Sequence, residues 1–289
     1  MRFLLTFLVI TSATGSGLAQ RAMAEGPHTT FVLQMDGGIS LPVRIGGAGP
    51  FRFRLDTGAS RTVVAAHVGE RLGLRPAGDT LVVTHVGRVR RSLVRLERLT
   101  IGDREVEGAP DALLLPAGDL DPAGRVDGLV GCDVLGALAF TIDYGRRRIV
   151  WHGEPVPDSP SGTRVALEIT GGRATVTLPQ RSGPLSALRM VPDTGADTLV
   201  LLARPGRALP FVTPLDTVRV RGVAGSLPAR RVLVQNLDVG TIRLGDQVGL
   251  LLDGASAGPF MGDGLLPLHL FSRVTFDGPG GYVIIDGSE

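Results

Sequence analysis

Phe51-Arg52-Phe53-Arg54-Leu55-Asp56-Thr57-Gly58-Ala59 is the stretch on which the reading of this chain turns. Phe51, Phe53 and Leu55 alternate with Arg52 and Arg54, the period of two that places one face of a strand in a core and the other in solvent. The alternation stops at Asp56, and Gly58 permits a tight turn there. The same four residues return at Asp193-Thr194-Gly195-Ala196, 137 positions after the first copy and again behind an apolar run, 185–191. A second landmark recurs almost in step: Asp127-Gly128-Leu129-Val130 and Asp263-Gly264-Leu265-Leu266 lie 136 positions apart. Matching offsets and identical order describe two similar halves, most simply by duplication of an all-β unit.

Outward from these landmarks the chain reads as short strands. Ile39, Leu41, Val43 and Ile45 alternate with Ser, Pro and Arg, and residues 46–50 make a turn. A short helix is expected over 65–72, ended by Gly73. Strands over 81–86 and 90–94 flank a turn at Gly87, and further strands follow at 96–101 and 112–115. A short helix over 134–139 precedes a hairpin of 140–144 with 148–151. The second half repeats the order, with strands at 163–169, 174–178, 216–220, 229–234, 237–244 and 248–252, a glycine-rich turn at 222–225, and a closing hairpin of 274–277 with 282–286. The expected fold is all-β and bilobal with a pseudo-two-fold internal repeat. One lobe spans 28–152, a Pro-, Ser- and Gly-rich linker spans 153–163, and the other lobe spans 164–289.

The first 24 residues read as a signal peptide. Arg2 supplies the positive start, 3–10 the apolar segment, and Ala22-Met23-Ala24 the small-residue cleavage site. An uncleaved N-terminal anchor is the alternative. The expected location is periplasmic or secreted, with no integral membrane span once the peptide is removed.

Composition narrows the function. All 30 basic residues are arginine and the formal net charge is +2, a usage that fits a GC-rich bacterial genome. The arginines are scattered and no aromatic-basic stripe accompanies them, which argues against nucleic acid as a partner. The single cysteine, Cys132, allows no internal disulfide and reads as a small core residue. The five histidines show no metal-ligand spacing, and no metal or organic cofactor is expected. Gly254-Ala255-Ser256-Ala257-Gly258 fits a nucleophile elbow, but the residues after it make a poor helix, so a small-residue loop is the better reading.

Two copies of Asp-Thr-Gly suit one chemistry. Two carboxylates held together share a single proton, so one serves as base while the other serves as acid. A threonine beside each can hydrogen-bond across the junction of the halves and hold the pair level. On these residues the chain resembles the retropepsin-like and pepsin-like aspartic peptidases. The first half is the closer match, through residues 51–60, Asp127-Gly128-Leu129-Val130-Gly131 and Phe140-Thr141-Ile142-Asp143-Tyr144, and it looks like the bacterial exported aspartyl-protease families with retropepsin-type lobes.

The resemblance implies hydrolysis of peptide bonds in a peptide or protein substrate, with Asp56 and Asp193 as the catalytic pair. It implies Thr57, Gly58, Thr194 and Gly195 as their support. It also implies a flap near 84–88 or its counterpart 221–225, placing His85, Val86, Gly87, Gly222 and Val223 against substrate. Because one chain supplies both aspartates, a monomer suffices. Ala59 and Ala196 stand where pepsin-like enzymes often carry a hydroxyl, which predicts raised carboxyl pKa values and activity from mildly acidic pH towards neutral. Pro192 and Pro267 depart from the pattern and motivate a rival reading, a peptide-binding or scaffold protein on this fold without turnover. Asp127 and Asp263 read as turn caps rather than catalysts.

Overall fold

The computed structural model describes residues 27–84, 87–108, 110–121, 124–153, 156, 162–179, 187–205, 209, 212–222, 225–254 and 262–287. The expected signal peptide, most of the linker, His85, Val86, Val223 and Ser256 lie outside the described residues.

The protein is all-β, with only short helices between strands. In Ala48–Leu55 the alternation read from the sequence is the one observed: Phe51, Phe53 and Leu55 are buried, while Arg52 is exposed. Each of these side chains, fully buried, contributes about 2–3 kcal/mol of apolar transfer. Several short strands escape the sequence reading, among them Val63–Ala65 and Leu199–Ala203. Both are nearly continuous apolar runs covered on both faces, so no alternation betrays them.

These two strands are the hubs of the halves. In the first half Ala48–Leu55 runs parallel to Gly128–Val130, which pairs antiparallel with Val63–Ala65. Val63–Ala65 then runs parallel to Asp111–Leu115, which pairs with Gly87–Arg95, and that strand pairs with Pro76–Thr84. In the second half Ala187–Asp193 runs parallel to Gly264–Pro267, which pairs antiparallel with Leu199–Ala203. Leu199–Ala203 runs parallel to Gln247–Asp253, which pairs with Gly225–Val234, and that strand pairs with Val212–Gly222. The same pairings occur in the same order.

A shared sheet joins the halves. His28–Thr30, Arg148–His152 and Ala139–Asp143 come from the first half, and Arg273–Asp277, Tyr282–Asp286 and Thr163–Thr170 complete the row. Its central seam pairs Phe140 with Phe276 and Thr141 with Thr275. The two phenyl rings stack at 5.3 Å between centroids, and the two hydroxyls hydrogen-bond at 2.7 Å.

Several boundaries differ from expectation. The helix expected over 134–139 is Cys132–Leu135, because Ala139 is taken by the shared sheet, opposite His152 and Asp277. Gly87 is not a turn residue: it opens a strand and pairs with Thr84. The strand expected to begin at 163 does so, with Thr163 held by Ile285 and the strand reaching Thr170. The run 237–244 is not one strand but a small hairpin, Asp238–Val239 with Ile242–Arg243, bent at Gly240 with φ +61°.

The Asp-Gly landmarks have a structural task. Asp127 Oδ2 accepts the backbone N–H of Arg52 at 2.8 Å, and Asp263 Oδ2 accepts that of Arg189 at the same distance. Each therefore clamps the strand that leads to Asp56 or Asp193. The following glycines leave room for a neighbouring backbone: a Cβ on Gly128 would overlap the Val63 carbonyl oxygen, and one on Gly264 would overlap that of Val200. Gly264→Ala is accordingly expected to destabilise the fold by about 3 kcal/mol, read as a lowered midpoint in urea denaturation, whereas Gly118→Ala, where a Cβ meets nothing, leaves the midpoint in place.

Candidate active site

The Ala48–Leu55 strand ends one residue before Asp56, and the Ala187–Asp193 strand ends on Asp193. The turns beyond them catch one oxygen of each carboxylate. Asp56 Oδ1 accepts the N–H groups of Gly58 at 3.1 Å and Ala59 at 2.9 Å. Asp193 Oδ1 accepts those of Gly195 at 2.7 Å and Ala196 at 3.1 Å. The two carboxyl groups lie near enough for each to influence the other's ionisation.

The threonines lock this arrangement. Thr57 Oγ1 donates to the Pro192 carbonyl and Thr194 Oγ1 donates to the Leu55 carbonyl, both at 2.7 Å. In return the Thr57 N–H donates to Thr194 Oγ1 at 3.0 Å, and the Thr194 N–H donates to Thr57 Oγ1 at 3.1 Å. Both threonines are buried, so these four bonds between halves are made away from water. Gly58 and Gly195 have a further role beyond the turn. A Cβ on Gly58 would overlap the Asp193 carboxylate, and one on Gly195 would stand 2.8 Å from Asp56 Cγ. Each glycine makes room for the other half's aspartate.

Burial raises both carboxyl pKa values, since it penalises the charged form. At Asp193 burial, and then the charge of Asp56, push the value up to about 8. At Asp56 burial outweighs the Ala59 N–H, the Arg54 charge, the Gly58 N–H and Asp193. Two interacting, buried carboxyls of raised pKa share a proton as a pair. The rise agrees in direction with the expectation from Ala59 and Ala196, but its leading cause is desolvation.

Pro192 and Pro267 are accommodated without loss of a bond in this network. The Pro192 carbonyl is the acceptor for Thr57. Pro267 corresponds to Gly131, whose N–H donates to Thr62 Oγ1 at 3.2 Å. The position equivalent to Thr62 is Leu199, so the donor that proline lacks has no acceptor to miss. Asp133, which accepts from Thr62 N and Oγ1, is matched by His269. A polar cluster in one half is thus exchanged for a largely apolar one in the other.

The two aspartates open into a cavity of about 720 Å³. Both long hairpins line it, through Val82 and Val83 on one side and Val218 and Val220 on the other. The expectation of one flap or its counterpart becomes two. The residues chosen for the flap were the tips, and of these Gly87 pairs with Thr84 and Gly222 with Gly225. The apolar strand residues just before the tips line the cavity. Sequence reasoning also missed the charged lining: Asp36, Arg54, Arg61, Arg173 and Asp197.

Residues 41–134 match the family model described as aspartyl protease. The matched stretch contains Asp56-Thr57-Gly58 and 127–131 and is consistent with the resemblance to retropepsin-like aspartic peptidases. None of the curated proteins matches the chain.

The raised pKa values have a consequence for stability. The folded chain binds these protons more tightly than the unfolded chain, so the pair's contribution is complete below about pH 4 and is lost as pH rises, through about 8 for Asp193. Urea denaturation at a series of pH values should show wild-type stability falling between pH 5 and 8. Asp193→Asn should flatten that fall and be the more stable protein at the alkaline end. Parallel curves for the two proteins would contradict the assignment.

Proposed function

We propose that this chain is an aspartic endopeptidase that hydrolyses peptide bonds through a water held between Asp56 and Asp193. The aspartyl protease match over the first half supports a protease in general terms. The observation that carries the finer reading is the reciprocal Thr57–Thr194 bonding, which ties together the two turns that bear Asp56 and Asp193, both of which line one cavity. Ionised Asp56 removes a proton from the water as its oxygen attacks the scissile carbonyl carbon. Asp193 gives its proton to the carbonyl oxygen, and a neutral tetrahedral diol results. On collapse, the proton now on Asp56 passes to the leaving nitrogen, the C–N bond breaks, and a diol hydroxyl proton returns to Asp193. No metal or organic cofactor takes part in these steps.

The substrate is a peptide or protein rather than a nucleic acid, and the chain acts as a monomer because it supplies both aspartates. The same reading has the first 24 residues direct export to the periplasm or beyond. Among the described residues no helix is long and apolar enough to cross a membrane. The peptide-binding alternative without turnover drew on Pro192 and Pro267, and neither disturbs the hydrogen bonds around the carboxylates.

The test is cleavage of a mixed peptide library between pH 3 and 8. Asp56→Asn and Asp193→Asn are each expected to lower kcat/KM by about 10³-fold. The wild-type profile should be bell-shaped, with its alkaline limb near the Asp193 value of about 8. Turnover that survives Asp193→Asn would remove the second half from the mechanism. A peak below about pH 3 would contradict the raised pair.

A further inference from the structure

The charges beside the cleft do not repeat between the halves. Ser60-Arg61 corresponds to Asp197-Thr198, and the turns that enter Ile39–Ile45 and Arg173–Pro179 bring in Asp36 in one half and Arg173 in the other. All six line the same cavity. The fold groups them crosswise between halves. The turn carrying Arg173 abuts the loop after Asp56, where a Cβ on Gly172 would stand 2.7 Å from the Ser60 carbonyl oxygen. Arg173 thereby joins Arg61 on one shoulder of the cleft. The turn carrying Asp36 abuts the second half, where a Cβ on Gly37 would stand 2.5 Å from the His269 ring. His269 feels the charges of both Asp197 and Asp36, so those two carboxylates share the other shoulder.

One shoulder therefore presents two cations and the other two anions. Arg54 donates to Asp36 at 2.9 Å and offsets part of the negative charge, but Asp197 is exposed and makes no hydrogen bond or ion pair among the described residues. Arg61 is likewise exposed and makes none among them. Arg173 is half-buried and feels both catalytic carboxylates. The remaining charged lining does not reverse this polarity. Asp119 is paired with Arg91 at 3.0 Å, and Arg219, on a flap strand, donates to Ser226 at 3.3 Å. Clefts with low-dielectric walls focus such fields, and opposed charges discriminate by repelling the wrong partner as well as attracting the right one.

We propose that the cleft reads the charge polarity of its substrate: a peptide with an acidic side chain seated at Arg61 and Arg173 and a basic side chain seated at Asp36 and Asp197, on opposite sides of the scissile bond. This rests on the peptidase reading of the same site. Two equal shoulders would read the same side chains on both sides of the bond; opposed shoulders require different ones.

The experiment uses peptides with one apolar scissile pair, flanked by Glu before and Lys after, by the reverse, or by Gln on both sides. One charged order should exceed the other by about tenfold in kcat/KM, with the neutral peptide between them, the effect of two partly screened ion pairs. Arg61→Ala with Asp197→Ala, both exposed, should bring that ratio towards one. Raising salt from about 0.05 to 0.5 M should compress it as well. Equal rates for the two charged orders, with the neutral peptide cleaved, would overturn the polarity and leave the peptidase standing. If no peptide is cleaved, the peptidase reading fails. Fluorescence anisotropy of the same labelled peptides on Asp56→Asn protein then decides the polarity by binding, and equal affinities overturn it.

Discussion

Two buried threonines carry the junction on which the site depends. Thr57 and Thr194 each donate a hydroxyl to the other half's strand and accept the other's backbone N–H. A buried donor or acceptor left unmade costs about 1–3 kcal/mol, so neither half can shift without forfeiting bonds on both sides. The carboxylates next to them inherit that rigidity. Their placement is a property of the junction rather than of either strand alone, since each glycine beside one aspartate leaves room for the other half's carboxylate.

The halves keep the same backbone frame and have exchanged side chains within it. The Asp-Gly clamp, the parallel strand beside each aspartate and the N–H pair on each Oδ1 recur in both halves. The positions of Thr62, Gly131 and Asp133 are filled by Leu199, Pro267 and His269 in the other half. Donor, acceptor and bridging carboxylate disappear together, and no buried polar atom among the three is stranded. The same freedom, acting at the cleft shoulders, sets Arg173 against Asp36. A pseudo-symmetric frame thus holds a chemically asymmetric groove.

Burial of the pair is a cost to the fold that the chemistry uses. Placing two carboxyls in a water-poor floor raises both pKa values and lets the pair share a proton. Arg54 and Arg173 moderate this without cancelling it, since burial remains the largest influence on each aspartate. The shared sheet behind the site, seamed by Phe140 on Phe276, buries enough apolar surface to hold that strained arrangement in place.

The all-β fold, the two halves and the two aspartates with their threonines and glycines were legible in the sequence. Each is a local pattern repeated at a constant offset: alternation that stops at a carboxylate, then a glycine turn. Val63–Ala65 and Leu199–Ala203 were not legible, because a strand buried on both faces carries no alternation. Nor was it legible that Val82, Val83, Val218 and Val220 would line the cavity, since which strand residues face the cleft depends on how each hairpin folds over it. The room that Gly58 makes for Asp193 and the company Arg173 keeps with Arg61 both join residues more than a hundred positions apart. The sequence by itself determined which groups are present and in which local frame. Only the tertiary structure decided which groups meet, because contacts across the junction arise when the two halves pack, and no local pattern encodes them.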